Sequence, residues 1–236
     1  MLTQRHPQNH NLTVHANESR WNDLLVLQQP SGLANEYLQR IQQTLNHACG
    51  EYTRLSVMRF DLHFPQDLHC RDDQAISRFI DALKAKLRAD QHRKQARGTR
   101  VHPCNLRYVW VKEQAASVAF HYHVAIMLNR NAYCMLGNYT FAGYSGDPDM
   151  HVDHSQEPAK NMAERISSAW ASALGLSMEQ AGGLVHFPDN PVYSVNRNNM
   201  AFTDQYNAVF QRLSYFAKVE TKQYGDRGRH FGCSRG

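Results

Sequence analysis

Residues 119–128 read Ala119-Phe120-His121-Tyr122-His123-Val124-Ala125-Ile126-Met127-Leu128, an alternating apolar run that carries two histidines two positions apart. Successive side chains of a β-strand leave opposite faces, so His121 and His123 share one face while Phe120, Tyr122, Val124, Ile126 and Leu128 line the other. Two imidazoles side by side on a sheet face make half of a metal site, since each neutral ring offers one lone pair.

The neighbouring stretches extend the sheet. Arg107 to Glu113 (RYVWVKE) is a strand, and a short polar turn around Gln114 to Ser117 joins it to the histidine strand as an antiparallel hairpin that ends Glu113 near the imidazoles. Leu55 to Phe64 also alternates, with Met58, Phe60, Leu62 and Phe64 on one face and Val57, Arg59, Asp61 and His63 on the other, before Pro65 closes it. That second face is either the wet side of an antiparallel sheet or the approach to a polar site. Leu184 to Phe187 and Val192 to Val195 are short strand candidates around the turn residues 188–191.

Helical spacing recurs four times. Leu33, Tyr37, Ile41, Leu45 and Ala48 form one stripe, with Gly50 as its expected stop. Asp72 or Asp73 can cap a second helix through Ile76, Phe79, Ile80, Leu83 and Leu87, which continues toward Gly98 with a cationic outer face. Met162, Ile166, Ala169, Trp170 and Ala173 mark a third, stopped by Gly175, and Tyr206, Val209, Phe210, Leu213 and Ala217 mark a fourth from Asp204 to about Lys222. Residues 1–30 are polar and read as a mobile arm or loose lead-in. Residues 137–157 read as a long loop in which His151, Asp153 and His154 are surface polarity or, less simply, metal donors. The fold class expected is α+β: a central antiparallel sheet of about five strands, ferredoxin-like, flanked by helices, with residues 1–50 as an N-terminal polar arm and helix ahead of a domain at 51–236.

Composition narrows the function classes. The 236 residues carry a formal net charge of +5, and Lys84, Lys86, Arg88, Arg93, Lys94, Arg97 and Arg100 cluster, as do Arg227, Arg229 and Arg235. Local basic density suits a polyanion such as nucleic acid, or else a solvated helix face. Five scattered cysteines with no Cys-x-x-Cys pair fit reduced thiols. No apolar stretch reaches membrane-spanning length and no secretory leader is expected, so the reading is cytoplasmic.

On the last helix Tyr215 and Lys218 are three apart and Lys222 four further, all on one face beside the apolar stripe. A tyrosine next to an ammonium is a phosphodiester nucleophile in waiting. A phenol is mostly protonated at neutral pH, so a cation or a metal-polarised phosphate has to lower the barrier.

The order of these pieces is Arg59-Phe60-Asp61-Leu62-His63, a strand ending in Glu113, His121-Tyr122-His123, and a late Tyr215-Phe216-Ala217-Lys218. It resembles the replication-initiator (Rep) branch of the HUH endonuclease superfamily. The stretch Tyr108-Val109-Trp110-Val111-Lys112-Glu113, the run ending Leu128-Asn129, and the tail Gly225-Asp226-Arg227-Gly228-Arg229-His230-Phe231-Gly232 are similar to the prophage YagK/YfjJ and inovirus-type replication proteins. The resemblance covers roughly residues 51–236. It implies that His121, His123 and one further polar residue, for which Glu113 is the candidate, hold Mg²⁺ or Mn²⁺. Tyr215 would attack the scissile phosphate with Lys218 steadying the charge, leaving a 5′-phosphotyrosine that starts rolling-circle replication. Arg59, Asp61, His63, Lys222, Arg227 and Arg229 would lie along single-stranded DNA or an origin hairpin.

One tyrosine serves that helical face, since the residue four after Tyr215 is Val219. No Gly-x-x-x-x-Gly-Lys-Ser/Thr loop occurs, so unwinding would fall to a host helicase and its replication partners. A relaxase or transposase of the same superfamily keeps this chemistry. A DNA-binding regulator on the same scaffold keeps only the binding.

Overall fold

A computed structural model describes residues 4–65, 72–114, 120–137, 161–220, 222 and 228–235. The expected loop at 137–157, with His151, Asp153 and His154, lies outside the described residues beyond Gly137, as does Arg227. Among the described residues the strands are β1 (Gln4–Arg5), β2 (Thr13–His15), β3 (Arg20–Trp21), β4 (Leu24–Leu25), β5 (Leu33–Ala34), β6 (Arg54–Leu62), β7 (Arg107–Glu113), β8 (His121–Asn129), β9 (Val185–His186), β10 (Val192–Asn196) and β11 (Phe231–Cys233). The helices are α1 (Asn35–Glu51), α2 (Ala75–Ala96), α3 (Met162–Leu174) and α4 (Phe202–Ser214), the last followed by a 3-10 turn at Tyr215–Ala217.

The α+β reading holds. The large sheet is antiparallel throughout, in the order β10-β6-β8-β7-β11 with β9 also on β6. Helices cover both of its faces, which removes the one-wet-face alternative. Met58, Phe60, Leu62, Tyr122, Val124, Ile126 and Leu128 pack on α2 and α3 through Phe79, Leu83, Ile166 and Trp170. Leu55, Val57, Val109, Val111, Ala125 and Met127 pack on α1 and α4 through Ile41, Leu45, Val209 and Phe210. The central strand β8 is therefore buried on both sides over 122–128. At the edge, Gly232 of β11 lets the Trp110 indole lie against the backbone, where a Cβ would come within 2.5 Å of the ring.

Three local readings are corrected. Gly50 does not stop α1: the helix runs to Glu51 because the Tyr52 amide still donates to the Ala48 carbonyl, and the chain turns extended only at Tyr52. The fourth helix ends at Ser214 rather than near Lys222. The reason is tertiary, because Leu27 N–H donates to Ser214 Oγ, Leu33 bridges Lys218 as an antiparallel pair, and Val219 N–H donates to the Gly32 carbonyl. The same contacts show that the polar lead-in is not loose: Trp21 and Val26 are buried beside Phe210, and Leu12 and Ala34 pack on Val219. Among the described residues no helix is long and apolar enough to cross a membrane.

Candidate metal centre

Register builds the site. In the β7–β8 hairpin Glu113 stands opposite His121, and in the β6–β8 pair Asp61 stands opposite His123, with His186 of β9 on the far side of Asp61. All point to the α1/α4 face, and His63, one residue past β6, stacks its ring on His121 at 5.2 Å. The α3 helix fixes that corner, since Trp170 Nε1–H donates to the His63 carbonyl at 2.8 Å.

Glu113, His121 and His123 each aim a ligand atom into one spot, all within 4.8 Å of one another. The two Nε2 atoms are 3.3 Å apart, and His123 Nε2 is 3.3 Å from Glu113 Oε2. Behind them, His123 Nδ1 meets Asp61 Oδ1 at 2.6 Å. A proton held on Nδ1 by that carboxylate leaves the Nε2 lone pair facing the cluster, the arrangement by which supporting groups orient metal-ligating histidines. The donor set of two imidazoles and a carboxylate thus fits a divalent ion that keeps waters and accepts phosphate oxygens.

Electrostatics follow from burial and these contacts. Burial, with His123 and His63 adjacent, pushes His121 down to about 4, so its lone pair is free at ordinary pH. Burial also disfavours the His123 cation, but hydrogen bonds to Asp61 and Glu113 outweigh it and raise that pKa. For Glu113 burial opposes ionisation, yet the His123 hydrogen bond and the charges of Lys222 and Lys218 bring it down to about 2.

The nucleophile candidate arrives from the turn after α4. In a 3-10 turn positions i and i+3 eclipse, which sets Lys218 over Tyr215. Lys218 Nζ donates to the Tyr215 hydroxyl at 2.5 Å and sits 2.9 Å from Glu113 Oε2. The Tyr215 ring lies 5.5 Å from the His123 ring, edge-on, with the Arg59 guanidinium 5.7 Å from its centre.

The residues expected along DNA separate. Arg59 and Asp61 are each 8% exposed, paired with one another at 3.5 Å behind His123. The Lys222 side chain is 0% exposed, its ammonium 3.7 Å from Glu113 Oε1 and donating to the Lys218 carbonyl. His63 is half-buried at the rim, and burial outweighs the pull of Asp61 to lower its pKa. Arg229 lies on the opposite side of the sheet, over the Trp110 ring at 5.6 Å and bonded to Ser77 Oγ. Arg88 on α2 and Arg97 and Arg100 just beyond it are exposed, whereas Arg93 and Lys94 pair with the buried Asp90.

The support that Asp61 gives His123 is absent from the sequence reading. Its signal was the alternation of β6, which put Asp61 on the right face but not opposite His123. Replacing Asp61 by Asn is expected to weaken Mn²⁺ binding by roughly 10-fold to 100-fold, measured by calorimetric titration. An unchanged affinity would mean that Asp61 does not orient the ligand.

A family model described as the YagK/YfjJ C-terminal domain matches residues 16–234, taking in β3 to β5 and α1. Two proteins of Escherichia coli (strain K12) are similar along most of their length. YagK, described as uncharacterized, is 36% identical over 209 residues, covering 85% of this chain and 92% of that protein. YfjJ, also described as uncharacterized, is 36% identical over 211 residues, covering 85% and 94%. No solved structure matches the chain.

Proposed function

The chain belongs to the YagK/YfjJ C-terminal domain family, and from its site we propose that it nicks single-stranded DNA by metal-dependent transesterification, as a replication initiator of HUH type. The observation that carries the reading is the meeting of a tyrosine hydroxyl, a lysine and a His-His-Glu cluster, drawn from three segments of the chain, at contacts of 2.5 Å and 2.9 Å through one ammonium.

His121, His123 and Glu113 would hold Mg²⁺ or Mn²⁺, which supplies Lewis-acid polarisation of the scissile phosphate. The residues divide the remaining work. Tyr215 Oη forms the new bond to phosphorus as the bond to the 3′-oxygen breaks, and the phenol proton ends, in net terms, on the released 3′-hydroxyl. The product is a 5′-phosphotyrosyl protein and a primer end for rolling-circle synthesis. Lys218, already hydrogen-bonded to the attacking oxygen, stabilises negative charge developing there and on the phosphate. Asp61 holds His123 in one tautomer, and Arg59 braces Asp61 and the Tyr215 ring. The exposed Arg88, Arg97 and Arg100 would supply a salt-dependent grip on the DNA flanking the reacting strand.

The test is a covalent product. Incubation with single-stranded DNA from candidate origins and Mn²⁺ should give a protein–DNA band that survives denaturation and disappears with EDTA. DNA retention with no covalent product across all candidate origins would leave a binding regulator in place of the enzyme.

A further inference from the structure

Glu113 is crowded with cations. Its Oε2, the oxygen nearest His123 Nε2, is also the oxygen that Lys218 Nζ holds at 2.9 Å, while Lys222 Nζ approaches Oε1. A divalent ion ligated by His121, His123 and Glu113 would have to approach the oxygen that Lys218 occupies. Two cations on one carboxylate oxygen repel strongly in a buried setting, so one of them has to leave.

The lysines are not equally able to do so. Lys222 has a fully buried side chain whose ammonium also donates to the Lys218 carbonyl and lies over the Tyr37 ring at 5.8 Å. The Lys218 side chain is 11% exposed, and its ammonium keeps a second partner, the Tyr215 hydroxyl, if Glu113 is given up. The Lys218 backbone is meanwhile pinned to Leu33, so the side chain can move without shifting Tyr215.

We infer that Lys218 is the resident cation of the metal site: it neutralises Glu113 when no ion is bound, and an incoming divalent ion displaces it from Glu113 onto Tyr215 and the phosphate. The inference rests on the metal-site reading above. It couples the engagement of Lys218 with the nucleophile to metal occupancy, and it sets the apparent metal affinity below what three ligands alone would give.

The coupling has a readout independent of nicking. Mn²⁺ is titrated calorimetrically into wild type, Lys218→Met, Lys218→Gln and Lys218→Arg, with circular dichroism confirming the fold of each. Removing the competing charge should tighten Mn²⁺ binding by about tenfold or more in both neutral variants, and Lys218→Arg should stay close to wild type. Equal or weaker binding in the folded neutral variants overturns the inference while leaving the metal site intact. If neither wild type nor the neutral variants bind Mn²⁺ at millimolar concentration, the metal-site reading itself falls and this inference with it. Binding seen only in the neutral variants supports both. Should Lys218→Met fail to fold, Lys218→Gln and Lys218→Arg still decide the matter.

Discussion

Tyr215→Phe is expected to abolish the covalent protein–DNA product, a loss of at least ~10³-fold in adduct formation, while thermal stability stays near wild type. The asymmetry comes from what the side chain touches. Its ring packs edge-on to His123 and beneath Arg59, contacts that phenylalanine keeps, whereas its hydroxyl accepts a hydrogen bond from Lys218 Nζ. Removing one oxygen therefore deletes the attacking atom and little else. Nearby phenols are poorly placed to substitute: the Tyr206 hydroxyl is engaged with Asn46 Oδ1 at 2.6 Å, and burial raises its pKa. Denaturing gels of Mn²⁺ reactions with a candidate-origin strand check this. An adduct persisting in Tyr215→Phe would assign the nucleophile elsewhere and break the proposed mechanism.

Alternation made the sheet legible. The β6 and β8 segments each carry a two-residue period, so their faces, and the shared face of His121 and His123, could be read without partners. The hairpin was legible too, and with it Glu113 near the imidazoles, while the register that sets Glu113 opposite His121 is seen only in the structure. What escaped depends on pairings between distant segments. Asp61 opposite His123 requires the register of β6 on β8, across 62 residues with no hairpin to dictate it. The early end of α4 is written in residues 27–33, which take the Ser214 hydroxyl and the backbone of Lys218 and Val219 where helical periodicity alone would have carried on. Lys222 looked like a surface lysine on a helix face because a four-residue spacing implies exposure only if the helix continues. Once the chain leaves the helix at Lys218, the same residue is buried against Glu113.

Glu113→Gln tests that burial directly and should cost about 3 kcal/mol of stability at neutral pH. The amide matches the carboxylate in shape, so the loss is electrostatic: two ammonium groups and His123 lose their common counter-charge in a spot where Glu113 is 2% exposed. The pH dependence distinguishes this from a packing defect. Glu113 is held at about 2, below its ordinary value of 4.5, so its contribution is fully present above pH 4.5 and is lost as pH falls through about 2. The gap between wild type and Glu113→Gln in denaturant unfolding should accordingly be widest above pH 5 and close toward pH 2. Lys222 acts in the opposite sense. Burial lowers it from 10.5 to about 8, so the unfolded chain binds more protons between those values and stability rises with pH across that interval. A proton shed by Lys222 is also the route by which Glu113→Gln can limit its penalty, so that variant should lose less stability at pH 9 than at pH 7. A gap that is constant from pH 3 to pH 9 would show that the carboxylate's charge does not hold these lysines in place.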